Sequence, residues 1–125
     1  MLIDAKLKEN AARVLLVDGK ADSRGLLKNY LSTYQVVEAS NGKDALTLAL
    51  EQEPDLVLMD IKLSGMDSPM LLDHLRDLFP LLPVLAVAGY SDAQEVQQYS
   101  FDGFIEEPVA PEQLIGLIEE TLSGH

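Results

Sequence analysis

Apolar residues along this chain fall into two alternating patterns. Short runs occur at residues 13–17, 35–39, 55–60, 83–88 and 103–105. They are rich in Val, Leu and Ile and are bounded by Gly, Pro, Asn or Asp, which predicts strands; the unbroken runs predict strands buried on both faces. Between them, apolar residues recur at helical spacing. Leu26, Leu27, Tyr30 and Leu31 predict a helix over about residues 22–33. Ala45, Leu46, Leu48, Ala49 and Leu50 predict a second, capped by Asn41 and ended before Pro54. Pro69 suits the first turn of a third, whose apolar face is Leu71, Leu72, Leu75 and Leu78. Ser91 and Asp92 are placed to cap a short fourth helix running to about Tyr99. Pro111 opens a fifth, faced by Leu114, Ile115, Leu117, Ile118 and Leu122.

Strand and helix therefore alternate five times. Right-handed crossovers put the helices on both faces of one parallel sheet, so the predicted fold is α/β, doubly wound. The flavodoxin-like strand order 2-1-3-4-5 places its switch point between the first and third strands, and ligands bind beyond the carboxyl ends of the strands there. Those two strands end in Asp18 and Asp60. A carboxylate that closes a buried strand is costly unless it opens onto a cleft, so the two are expected to share one crevice. The domain is expected over residues 12–123, with residues 1–11 a polar arm and 124–125 a frayed tail.

Composition narrows the function. Nine Lys and Arg stand against 21 Asp and Glu, a formal net charge of −12 over 125 residues. That excludes the clustered cations that phosphate backbones and anionic membranes require, so neither nucleic acid nor membrane is an expected partner. A 47% hydrophobic content supplies a real core. With no cysteine there is no disulfide framework, and residues 1–10 lack an apolar signal core; a cytoplasmic protein is expected. His74 and His125 have no spaced partner and do not make a metal site.

Several segments, taken in order, resemble the receiver domain of bacterial response regulators, the phospho-accepting module of two-component signalling. They are residues 14–18 (Val-Leu-Leu-Val-Asp), 55–60 (Asp-Leu-Val-Leu-Met-Asp) and 65–67 (Gly-Met-Asp), then 83–87, 89–92 and 102–105 with Pro108. The likeness covers about residues 13–122 and implies the CheY-like form of the predicted fold. It makes Asp60 the candidate phosphoacceptor from a histidine kinase or phosphotransfer protein, and Asp18 with Asp60 the ligands of Mg²⁺. It also implies a downstream partner or output domain, or a homodimer, on the face of the fourth helix, fifth strand and fifth helix.

The helper positions depart from the family pattern. Gly19 stands where a second metal-binding carboxylate belongs. Ala88 replaces the Ser or Thr after the fourth strand. Glu107 replaces the lysine before the proline, and Leu63-Ser64 replaces Met-Pro. The segment from Gly89 to Gly103 is a few residues short, which trims the fourth helix or its exit. Loss of one carboxylate weakens a hard divalent cation. Two like charges about 5 Å apart at an effective dielectric of about 20 repel by roughly 3 kcal/mol, so Glu107 sets itself against a charged Asp60. Phe104, at the switch-aromatic position, is expected to stay packed in one state. Lys20 and Lys62 each follow a strand-end aspartate by two residues. They are the candidate compensating cations, through an ammonium paired with Asp18 or Asp60; the favoured alternative is that both are solvated surface lysines. The alternative from another class is a small phosphatase with Asp60 as nucleophile. Position 62, where its general acid would stand, is a lysine, which counts against it.

Overall fold

The structure, a computed structural model, describes residues 11–62 and 68–124. The arm over residues 1–10, the loop segment carrying Leu63-Ser64 and Gly65-Met66-Asp67, and His125 lie outside the described residues. Five strands form one parallel sheet: β1 Arg13–Val17, β2 Gln35–Ala39, β3 Leu56–Asp60, β4 Val84–Ala88 and β5 Gly103–Glu106, in the order β2-β1-β3-β4-β5. Five helices alternate with them: α1 Ala21–Tyr30, α2 Gly42–Gln52, α3 Ser68–Leu78, α4 Ala93–Val96 and α5 Pro111–Ser123. The predicted topology is the one observed.

Strand alternation divides the core into two layers. Leu15, Val17, Val57, Met59 and Val84 point to one face, where Ala45 and Ala49 of α2 and Leu71, Leu72 and Leu75 of α3 cover them. Val14, Leu16, Leu56, Leu58, Leu85 and Ile105 point to the other, under Leu27 and Leu31 at α1 and Leu114 and Ile118 of α5. Burial of β1, β3 and β4 on both faces explains why their sequences read as near-continuous apolar runs.

Helix ends follow local chemistry. The Asn41 side chain accepts the Asp44 N–H at 2.8 Å, as its cap position predicts, and its amide donates to the Asp44 carboxylate at 3.0 Å. Asn41→Ala is expected to cost roughly 1 kcal/mol, read as a lower urea midpoint with an unchanged slope. Helix α1 stops three residues earlier than the spacing predicts. The Leu31 N–H closes the helix on Leu27 and Lys28, and Ser32-Thr33, poor helix formers, pass into a turn. Helix α4 is a single turn, not a helix to Tyr99. Gln98 and Tyr99 bond three residues back, to Glu95 and Val96, which is the tighter 3₁₀ pattern. Asp92 does not cap it; its side chain makes no capping hydrogen bond.

The far end of the sheet is fixed by Arg76. Its guanidinium donates to the Leu82 and Ser100 carbonyls and pairs with Asp102 at 2.9 Å, while Asp102 also accepts the Val84 N–H. One side chain thereby ties α3 to the starts of β4 and β5. Among the described residues no helix is long and apolar enough to cross a membrane.

Candidate functional site

The register of the sheet builds the site. Val17 pairs with Met59 across β1 and β3, so Asp18 and Asp60 leave neighbouring strand tips side by side. Asp60 pairs with Val87 and Ala88 pairs with Glu106, which brings Ala88 and Glu107 to the same end. The Glu107 N–H donates to the Ala88 carbonyl at 2.9 Å, and the Glu107–Pro108 peptide is cis. One crevice thus gathers Asp18, Asp60, Ala88 and Glu107.

Both aspartates use the same local device. The Asp18 carboxylate accepts the Lys20 N–H at 2.8 Å, and the Asp60 carboxylate accepts the Lys62 N–H at 3.0 Å. Each is a turn closed by a side chain two residues back. The two lysines therefore serve these carboxylates through their main chains. The Lys62 ammonium lies elsewhere, 3.4 Å from Asp92, so it does not pair with Asp18 or Asp60. Lys20 makes no ion pair among the described residues, but its charge lies close enough to favour the ionised form of Asp60.

That help does not prevail. Burial pushes the Asp60 carboxyl above its ordinary value, and the charges of Asp18 and Glu107 push it the same way. The Lys62 N–H and the Lys20 charge oppose them. Asp18 is only 2% exposed, whereas Gly19, Lys20 and Glu107 stand at the rim. Ala88 is fully buried in an apolar cluster with Ile61, Ala86 and Val96 and offers no hydroxyl.

Three positions matter here that sequence reasoning missed. Ser68, buried at the start of α3, shares its one hydroxyl hydrogen between the Asp60 and Ile61 carbonyls and pins the end of β3. Arg24 donates to the Asp18 carbonyl at 2.9 Å while facing Glu38 at 3.4 Å, which steadies the tip of β1. Asp92, 8% exposed, holds Lys62, and both Asp92 and Glu107 come within 3.7 Å of where a side chain on Gly89 would begin. Buried Ser and Asp beside a strand end were the available signals. Phe104 is not packed inward. It is 36% exposed, and alternation along edge strand β5 turns it to the face opposite the buried Ile105.

The family model for the response regulator receiver domain matches residues 14–119. The chain belongs to the receiver-domain family. It is 32% identical over 117 residues to the polar-differentiation response regulator DivK of Brucella anthropi, covering 87% of this chain and 94% of that one. It is 30% identical over 117 residues to the transcriptional regulatory protein ResD of Bacillus subtilis, covering 90% of this chain but 49% of ResD. The chain thus spans about half the length of that regulator. Among solved structures, the receiver domain of NtrX from Brucella abortus matches with a TM-score of 0.84 at 29% identity, over 90% of this chain and 99% of that one.

Receiver domains as a family hold Mg²⁺ at the site of phosphorylation. Asp18 and Asp60 each already accept a backbone N–H, Asp92 is paired with Lys62, and Gly19 brings no oxygen from its side chain. Among the described residues no three acidic or histidine side chains are grouped to hold a metal ion. Mg²⁺ keeps several of its six oxygens as water and is commonly held by one or two carboxylates, so Asp18 and Asp60 would hold it, more weakly than a set with a further acid at position 19.

Proposed function

We propose that this receiver domain is a phosphorylation-independent pseudo-receiver, which signals through protein–protein contacts while Asp60 stays unmodified. Response regulators work with histidine kinases and output domains; here the output contact is assigned to the face of α4, β5 and α5, where Phe104 stands exposed. The same face is the candidate surface for a homodimer. A histidine kinase or phosphotransfer protein keeps a place as a docking partner rather than a phosphoryl donor.

The observation that carries this reading is the charge around Asp60. Phosphoryl transfer to a carboxylate needs the negative charge on the attacking oxygen, the phosphoryl oxygens and the leaving group neutralised by fixed donors or a metal. This crevice supplies carboxylates at Asp18 and Glu107 instead, and both act on Asp60 with the sign that disfavours more negative charge. The hydroxyl that would accompany a phosphoryl oxygen is absent at Ala88.

The test is incubation with acetyl phosphate, with and without Mg²⁺, followed by intact mass and peptide mapping. The expected result is an unmodified chain in every condition. A covalent phosphoryl adduct on Asp60 overturns the proposal. With beryllofluoride and Mg²⁺, the amide resonances of residues 60–62 and 86–89 are likewise expected to hold their positions.

A further inference from the structure

At the end of the sheet opposite Asp60, the chain keeps an apolar groove of about 540 Å³ between the exits of α2 and α3. Pro54, Leu78, Phe79 and Leu81 line it, with Glu53 and Asp55 on its rim. Leu81 is 95% exposed and Leu78 51%. The loop that carries Leu81 is not loose. Pro80 and Pro83 bracket it, the Leu82 N–H bonds the Phe79 carbonyl, and Arg76 holds the Leu82 carbonyl at 3.0 Å. Leu78 and Leu81 stand exposed together on the apolar groove, and a contiguous patch of this kind is what partner surfaces cover.

The electrostatics of the groove choose the occupant. Two helices end here, α2 at Gln52 and α3 at Leu78; the Arg13 guanidinium donates to the Gln52 carbonyl and meets the α2 end, while α3 presents the negative end of its dipole. Glu53 and Asp55 add carboxylates, and Asp77 stands exposed in the last turn of α3. Among the described residues no lysine or arginine lines the groove, and the nearby Arg13 is engaged with the Gln52 carbonyl and, through its backbone N–H, with Asp55. The one basic side chain in the last turn of α3, Arg76, is turned inward onto Leu82, Ser100 and Asp102.

We infer that this groove docks a basic amphipathic segment of a partner protein, an aliphatic or aromatic anchor flanked by Lys or Arg. A second copy of this chain is a poor occupant, since it would bring an acidic rim against an acidic rim at a net charge of −12 each. The site is separate from the crevice of Asp60 and does not depend on whether Asp60 is phosphorylated.

The probe is a synthetic amphipathic helix with a Leu stripe and a Lys face, titrated into the full chain and read by fluorescence anisotropy. A Leu/Glu helix of the same pattern is the control. The Leu/Lys helix is expected to bind and the control not. Leu81→Ser is expected to weaken binding roughly 10- to 100-fold. Because Leu81 is nearly all exposed, this change leaves the fold intact, which circular dichroism verifies. The pair Glu53→Gln and Asp77→Asn is expected to weaken binding and flatten its salt dependence. The inference is overturned if the Leu/Lys helix does not bind, or if Leu81→Ser leaves its affinity unchanged. It is overturned equally if the chain forms a concentration-dependent dimer that Leu81→Ser abolishes, or if binding emerges only after residues 1–10 are removed.

Discussion

A chain carrying Gly19→Asp, Ala88→Ser and Glu107→Lys together is expected to take a phosphoryl group from acetyl phosphate where the parent chain does not. In that reaction an Asp60 carboxylate oxygen attacks phosphorus in line, the bond to the acetate oxygen breaks, and acetate leaves with the electron pair. Each substitution removes one obstacle. Glu107→Lys exchanges a repelling charge for an attracting one at the rim, and Gly19→Asp returns the second carboxylate of the metal pair. Ala88→Ser offers a hydroxyl to a phosphoryl oxygen. Because Glu107 stands exposed at the rim, where solvent screens it, the charge exchange alone is expected to raise the rate by on the order of 10-fold.

The fold accepts the changes at Gly19 and Glu107, while Ala88→Ser places a hydroxyl in a buried position. A side chain on Gly19 would begin 3.4 Å from the Ser40 carbonyl oxygen, an ordinary contact, and Gly19 does not occupy the left-handed region. Glu107 is exposed, so a lysine there meets no packing barrier. The measurement is intact mass against time, in Mg²⁺ and without it, beside the same triple variant carrying Asp60→Asn. An adduct that needs both Mg²⁺ and Asp60 is the expected outcome. A triple variant as inert as its parent would mean that the three helper positions are not what silences Asp60.

The fold was legible because burial on both faces writes itself into β1, β3 and β4 as unbroken apolar runs. Strand ends at Asp18 and Asp60 could be read from the same signal, since an unbroken run must stop where a charge begins. What stayed hidden was the direction of long or short polar side chains near the crevice. Lys62 follows Asp60 by two residues, and spacing alone left two directions open, an ammonium turned back or one in solvent. The turn instead spends the Lys62 N–H on Asp60, and the extended side chain reaches Asp92 on the next loop. Asp92 looked like a helix cap because it precedes α4, yet α4 is too short to need its side chain more than Lys62 does. The outward turn of Phe104 depends on the register of a four-residue edge strand, which a one-residue slip would reverse.

Replacing Asp60 by Asn is expected to stabilise the chain at neutral pH, by about 0.5 kcal/mol or roughly 2 °C in melting temperature once solvent screening of this half-exposed site is allowed for. Asn keeps an oxygen for the Lys62 N–H and removes the charge that burial, Asp18 and Glu107 all disfavour. The sign follows from linkage. The folded-state value of Asp60 lies above its ordinary 3.8, so folding favours its protonated form. Below that ordinary value Asp60 is neutral whether folded or not, and the parent and Asp60→Asn chains should be nearly equal in stability. As pH rises through the raised folded value, the parent loses stability and the variant does not, so the gap opens and then levels off toward pH 7. Glu38 works in the other direction, because a hydrogen bond from Lys28 holds its carboxyl below its ordinary value, but it is common to both chains and cancels in the difference. Urea unfolding of the two chains from acid to neutral pH measures the gap. A gap that is absent at neutral pH, or the same at every pH, would show that Asp60 bears no electrostatic cost in the crevice, and the charge argument for an unphosphorylated receiver would fall with it.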